Sequence, residues 1–193
     1  MTFENYLKNS IEVKERILKD KNLLENIEKA ANIVLEALRN NKTLYLCGNG
    51  GSFSDACHIA AEFTGRFLFD RKPLKAIVLG ANPSHMTAVS NDYGYEYVFS
   101  RELEALGEEG DVLIGISTSG NSKNIIEAVK TARKKNIKTI GLLGKDGGKL
   151  KNLVDISIIV PANLTCHIQE AHITIGHYIC YFVEEKFFKN KEG

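Results

Sequence analysis

No block of like charge, no apolar run of membrane-spanning length and no CxxC pair occur in this 193-residue chain. Lys+Arg total 25 against 24 for Asp+Glu, a formal charge of +1, so no face is marked for a polyanion and nucleic acid is excluded as the main partner. A transmembrane helix needs about 20 consecutive apolar residues, and no run approaches that. The four cysteines, Cys47, Cys57, Cys166 and Cys180, lie in apolar surroundings without metal-ligand spacing and read as buried free thiols of a reducing compartment. Met1-Thr-Phe-Glu-Asn-Tyr6 has neither the basic start nor the apolar core of a signal peptide, so the expected location is cytoplasmic. Two nucleotide motifs are missing as well. No GK[ST] is present for a Walker A loop, and G-x-G-x-x-G would need glycine where Phe53 stands. The acidic residue that would close the second strand of a dinucleotide fold is replaced by Leu79-Gly80-Ala81.

What the chain does have is alternation. Strand-like apolar runs recur at 43–47, 75–79, 111–116, 138–143 and 155–160, and helix-like spacings of three and four occupy 53–67, 95–106 and 122–135. Ser52 or Ser54 and Asn121 or Ser122 mark helix starts, and Gly80, Gly110, Gly144 and Gly147-Gly148 mark turns. The pattern predicts an α/β fold with a doubly wound, five-stranded parallel sheet. Residues 4–40 carry a further helical pattern, interrupted at Lys21-Asn22, and 165–188 is apolar around much of its circumference. These terminal helices pack either within the subunit or against another subunit. One domain spanning 1–193, with 1–40 as a helical extension, is the expected organisation.

Two strand-to-helix turns carry the chemistry. The first, Cys47-Gly-Asn-Gly-Gly-Ser52, offers the backbone of Gly50 and Gly51 with Asn49, Ser52 and Ser54 at the carboxyl end of the first strand, where α/β sheets bind ligands. Tight turns that only join strand to helix would not need that polar set. The second places the hydroxyls of Ser117, Thr118, Ser119 and Ser122 within six residues, with Gly120 permitting close approach. Capping needs one hydroxyl, whereas phosphate oxygens accept several hydrogen bonds at a helix N-terminus. Arg66 is a candidate for the balancing charge. His58 and Glu62, at i and i+4, share one helix face and form either a surface pair or part of a site. Gln169, Glu170, His172 and His177 are polar residues on an otherwise apolar helix, so they require partners and point to a site. A metal held by His58, Glu62 and a later histidine would suit zinc. Asn91-Asp92-Tyr93-Gly94 opens the next helical run, with Asp92 either a cap or a receiver of sugar hydroxyls. His85 and His167 receive no role.

The stretch from Cys47 to Arg66 closely resembles the signature of the phosphoheptose isomerases, sugar isomerase (SIS) domain enzymes that act on sedoheptulose 7-phosphate. Asn91–Gly94, Val98–Arg101, Gly115–Ser122, Gly144–Gly148 and Ile168–Glu170 followed by His177 fit in the same order. The resemblance implies a flavodoxin-like SIS fold, a homotetramer with active sites between subunits, and the first step of nucleotide-activated heptose synthesis. It implies that Ser117, Thr118, Ser119 and Ser122 hold the phosphate and that Asn49, Gly50, Gly51, Asn91, Asp92 and Gln169 line the sugar. It also places Arg66 near the catalytic glutamate, makes Glu62 and His177 the acid/base pair, and assigns zinc to His58, Glu62, Gln169 and His177. A ligand bound to metal is a poorer base, so Glu62 and His177 carry two competing assignments. One departure is Cys166-His167, where the family shows Ala-Arg or Asp-Arg. The alternatives to this isomerase are a non-catalytic SIS regulatory protein or an isomerase of a shorter sugar phosphate.

Overall fold

A computed structural model of the chain describes residues 1–189. Two helices, α1 (Phe3–Lys19) and α2 (Lys21–Arg39), precede β1 (Leu44–Cys47), α3 (Gly51–Thr64), β2 (Ala76–Val78) and α4 (Pro83–Asp92). A 3-10 turn at Tyr95–Tyr97 leads into α5 (Val98–Leu106), followed by β3 (Val112–Ser117), α6 (Lys123–Lys134), β4 (Lys138–Gly144), β5 (Ile156–Val160) and α7 (Thr165–Phe188). The five strands form one parallel sheet in the order β2-β1-β3-β4-β5. This is the doubly wound arrangement expected from the alternation.

Period two in the strands sorts their side chains onto two cores. Leu44, Leu46, Val112, Ile114, Ile116, Ile140 and Leu142 face a layer made by α2, α3 and α7. Tyr45, Cys47, Leu113 and Leu143 face the opposite layer with Val98, Phe99 and Leu103 of α5 and Ile125 and Val129 of α6. β1 and β3 are buried along their whole length because both faces are covered, as parallel sheets require. Each such Leu or Ile contributes roughly 1.5–3 kcal/mol on leaving water.

The helix α1 is different. Phe3, Leu7, Ile11 and Leu18 project from it exposed, Phe3 at 78%, while Val13 faces inward. The break between α1 and α2 falls at Asp20, whose side chain caps α2 by accepting from Leu23 N.

Several local expectations are corrected. α4 was absent from the sequence pattern because Val89 is its only buried residue. It starts by local chemistry instead, with Asn82 accepting from Ser84 N and His85 N and Pro83 in the first turn. Asn91 and Asp92 therefore end a helix rather than open one, and Asp92 caps nothing. Neither Ser52 nor Ser54 caps α3; that position belongs to Gly50, at φ +56°. All four cysteines are free, but only Cys47 and Cys180 are buried, while Cys57 is half-buried and Cys166 exposed. Cys166 lies at the outward start of α7, where no apolar layer covers it.

Candidate active site

The strand order reverses between β1 and β3, and the two loops marked in the sequence leave the carboxyl edge of the sheet at that reversal. Gly51 is the first residue of α3, and a Cβ there would come within 2.5 Å of Gln169 Nε2, so glycine lets α7 lay Gln169 against the first loop. In the second loop Ser117 is buried at the end of β3 and its Oγ lies 2.9 Å from Ser122 Oγ. Ser119 Oγ accepts from Asn121 N at 3.2 Å, and the Thr118 hydroxyl has no partner among the described residues. Gly120 sits at φ +64°, and a Cβ there would lie 2.0 Å from Gly147 O. Leu150 N donates to Gly120 O and Lys149 N to Asn121 Oδ1, pinning the serine loop to the turn after β4. Its hydroxyls thus gather at the start of α6, where the helix dipole favours an anion.

Two residues that the sequence did not single out connect the loops. Asn124, 3% exposed in the first turn of α6, exchanges amide hydrogen bonds with Asn49: Asn124 Nδ2 donates to Asn49 Oδ1 at 2.8 Å, and Asn49 Nδ2 donates to Asn124 Oδ1 at 3.0 Å. The Tyr95 hydroxyl donates to the same Asn49 Oδ1 at 2.9 Å. Both acceptor sites of that oxygen are used and one Nδ2 proton stays free, so the amide has one orientation. An asparagine two residues after the last loop serine was the only sequence signal for Asn124.

The second cluster lies further along α3. His58 Nε2 is 3.0 Å from Glu62 Oε1 and 3.3 Å from His177 Nε2, which α7 brings alongside. The two imidazoles meet edge to face, with centroids 4.9 Å apart. One ligand atom from each of His58, Glu62 and His177 falls within 4.8 Å of the others, a group able to hold a metal ion. Ligands bound at about 2.0–2.1 Å in a tetrahedron lie roughly 3.3 Å apart, so two nitrogens and a carboxylate at these separations fit zinc in type and spacing. Asp55, one turn before His58, has a buried Oδ2 without a partner. Burial raises its carboxyl above the usual range, and the charges of His58 and His177 oppose the rise without cancelling it.

Arg66 is exposed without an ion pair among the described residues. Asn91 Nδ2 donates to Asp92 Oδ1 at 2.8 Å, and both are exposed at the end of α4. His172 does not face the site: it is fully buried and bonds Leu143 O at 2.9 Å, and burial lowers its pKa to about 4. Glu170 turns to α1, accepting from Tyr6 at 2.9 Å and from Ser10. Burial alone would raise the Glu170 carboxyl, but hydrogen bonds from Ser10, Tyr6 and His167 outweigh it and lower it. His167 is buried beside them, 3.3 Å from Glu170 and 4.6 Å between centroids from Tyr6.

The fold and its two loops define a sugar isomerase domain: the SIS domain family model matches residues 5–144. The phosphoheptose isomerase of Clostridium acetobutylicum is 53% identical over 97% of this chain and 96% of its own length. That of Aneurinibacillus thermoaerophilus is 51% identical over 97% and 95%. The solved structure of phosphoheptose isomerase GmhA from Neisseria gonorrhoeae superposes with a TM-score of 0.89 at 42% identity, covering 95% of this chain and 97% of that one. The chain belongs to the phosphoheptose isomerase family of SIS domains.

Proposed function

We propose that this protein is an aldose–ketose isomerase that converts sedoheptulose 7-phosphate to D-glycero-D-manno-heptose 7-phosphate through a cis-enediol. The observation that carries the reading is the convergence of His58, Glu62 and His177 from two helices, in a domain that also keeps the serine loop. A regulatory SIS protein would have no need of that trio.

Ser117, Thr118, Ser119 and Ser122 hold the phosphate at the start of α6. Asn49, Gly50, Gly51, Ser52 and Gln169 line the open-chain sugar, and Asn91, Asp92 and Arg66 complete the lining. Glu62 takes the proton from C1 of the ketose and returns one to C2, while His177 moves a proton from O1 to O2. This reading gives Glu62 both assignments. Its Oε1 is engaged at His58, and the second carboxylate oxygen remains for the substrate proton. Zinc held by His58, Glu62 and His177 would supply a Lewis acid that polarises the carbonyl and steadies the enediolate, whereas Gln169, laid against Gly51 at the far end of α3, could join these ligands only across a subunit boundary.

The assembly is a homotetramer with sites between subunits. Two features support it. The exposed stripe Phe3, Leu7, Ile11 and Leu18 leaves α1 with an uncovered apolar face. The first loop, which lines the sugar, and Glu62 also lie at opposite ends of α3, roughly 16 Å apart along its axis, so a neighbouring copy is needed to bring the isomerising group to the bound sugar. Residues 1–193 act as one domain, with 1–40 its helical extension. No helix among the described residues is long and apolar enough to cross a membrane, and the proposed location is the cytoplasm.

NMR of the protein with sedoheptulose 7-phosphate in D2O, with and without zinc, tests the reading. A deuterium-labelled heptose 7-phosphate aldose is expected. No conversion under either condition by a folded oligomer would move the substrate to another sugar phosphate or the role to binding.

A further inference from the structure

Arg71 and Glu184 form the most deeply buried of the ion pairs among the described residues, with side chains 3% and 1% exposed. Arg71 lies in the segment between α3 and β2, and Glu184 is on α7, two helical turns beyond His177 and hence near the same face. Arg71 Nε donates to Glu184 Oε1 at 2.9 Å. Its Nη2 donates to the backbone carbonyl of Glu62 at 2.6 Å, and its Nη1 is shared by the carbonyls of Phe63, Gly65 and Lys72 at 2.8, 3.0 and 3.2 Å. Glu184 in turn accepts from Phe67 N at 2.9 Å and from Leu68 N at 2.7 Å.

A helix leaves its last carbonyls without intrahelical donors. Here a single guanidinium satisfies two of those at the end of α3, one of them on Glu62 itself, while its counter-ion is rooted in the helix that carries His177. Stability alone does not call for this device, since buried ion pairs are often replaceable by apolar residues of similar volume without loss. An apolar pair could not bind the Glu62 carbonyl. Lysine could bind one of these acceptors but not all of them, because it lacks the planar fork that reaches several at once. Close packing nearby makes the register exacting: a Cβ on Gly176, next to His177, would lie 2.4 Å from Ile59 Cδ1, next to His58.

We propose that Arg71 and Glu184 are positioning residues, which set the end of α3 against α7 and so hold Glu62 at its working distance from His58 and His177. A displacement of about 1 Å at a reacting group can cost around 100-fold in rate. The inference rests on the reading of Glu62 as the base.

The test compares Arg71→Lys and the double variant Arg71→Met/Glu184→Met with wild type, using Glu62→Gln as reference. Both are expected to unfold cooperatively and to lose about tenfold or more in kcat, with KM changed by less than about twofold because the serine loop still holds the phosphate. Zinc affinity by chelator competition is expected to fall about tenfold as well, a readout independent of turnover. A folded double variant with wild-type kcat and zinc affinity would show the pair to be structural only and overturn the inference. Should the double variant not fold, Arg71→Lys decides alone, and wild-type behaviour there has the same meaning. If Glu62→Gln is inactive while Arg71→Lys equals wild type, only the positioning role falls. If Glu62→Gln keeps turnover, the base assignment falls and takes this inference with it.

Discussion

His58 and His177 are 119 residues apart in the chain and face each other with ring nitrogens 3.3 Å apart. Two imidazoles at that separation share either a proton or a metal ion. Glu62 Oε1 lies 3.0 Å from the same His58 nitrogen, so three donor atoms converge on one point, as a metal site requires.

His58→Ala and His177→Ala should therefore each weaken zinc binding by more than ~100-fold, beyond the 10–100-fold typical when only a supporting partner of a ligand is removed. Metal content after dialysis, measured by mass spectrometry, checks it. Stoichiometric zinc in either variant would remove that histidine from the ligand set.

Glu62→Gln should abolish exchange of the C1 proton into D2O while leaving the affinity for inorganic phosphate within about twofold, because the serine loop is untouched. Proton exchange at the wild-type rate would assign the base elsewhere.

Tyr95→Phe removes one of two hydrogen bonds to Asn49 Oδ1. A lost hydrogen bond of this kind is worth about 1 kcal/mol, so KM for the sugar phosphate should rise roughly fivefold, with the fold intact. Asn124→Ala should do more damage, because it removes both hydrogen bonds between the two amides, strands Asn49 Nδ2 and frees the Ile125 N–H. Steady-state kinetics of the two variants gives the order.

Gly120→Ala forces a side chain into the left-handed region at φ +64° and places its Cβ 2.0 Å from Gly147 O. The conformation alone costs about 1–3 kcal/mol, and the clash adds to it, so denaturant unfolding should show a loss of at least ~3 kcal/mol. Phosphate affinity should fall with it as the loop leaves the turn after β4.

His172 makes stability depend on pH. Burial lowers its pKa to about 4, against an ordinary value of about 6.5 in the unfolded chain. Between those values the unfolded state binds the extra proton, so the contribution is complete above about pH 6.5 and is lost as pH falls towards about 4, at up to ~1.4 kcal/mol per pH unit. His172→Gln should flatten the slope of unfolding free energy across this window relative to wild type. An unchanged slope would assign the acid sensitivity to other groups.

Much of this was readable one segment at a time. The alternation of period two with spacings of three and four placed all five strands within a residue or two at each end, and α2, α3, α6 and α7 closely. The serine loop and the His58–Glu62 pair were legible for the same reason: their members are near neighbours in the chain, and helix geometry alone sets an i, i+4 contact. Where a helix had little to bury, as in α4, periodicity carried no signal, and only the Asn82-Pro83 start could have betrayed it. Glu170 and His172 show the opposite error. Their polarity on an apolar helix did mean partners, but α1 and the end of β4 supply those partners.

The amino-acid sequence by itself determined the element types, the loops and the chemistry that each loop can perform, because these follow from local backbone preference and side-chain period. The pairing of Asn49 with Asn124, the approach of His177 to His58, and the reach of Arg71 from Glu62 to Glu184 were decided only in the tertiary structure. Such contacts depend on the axial register of one helix against another, which is set by interdigitation of side chains from distant parts of the chain and has no counterpart in local spacing.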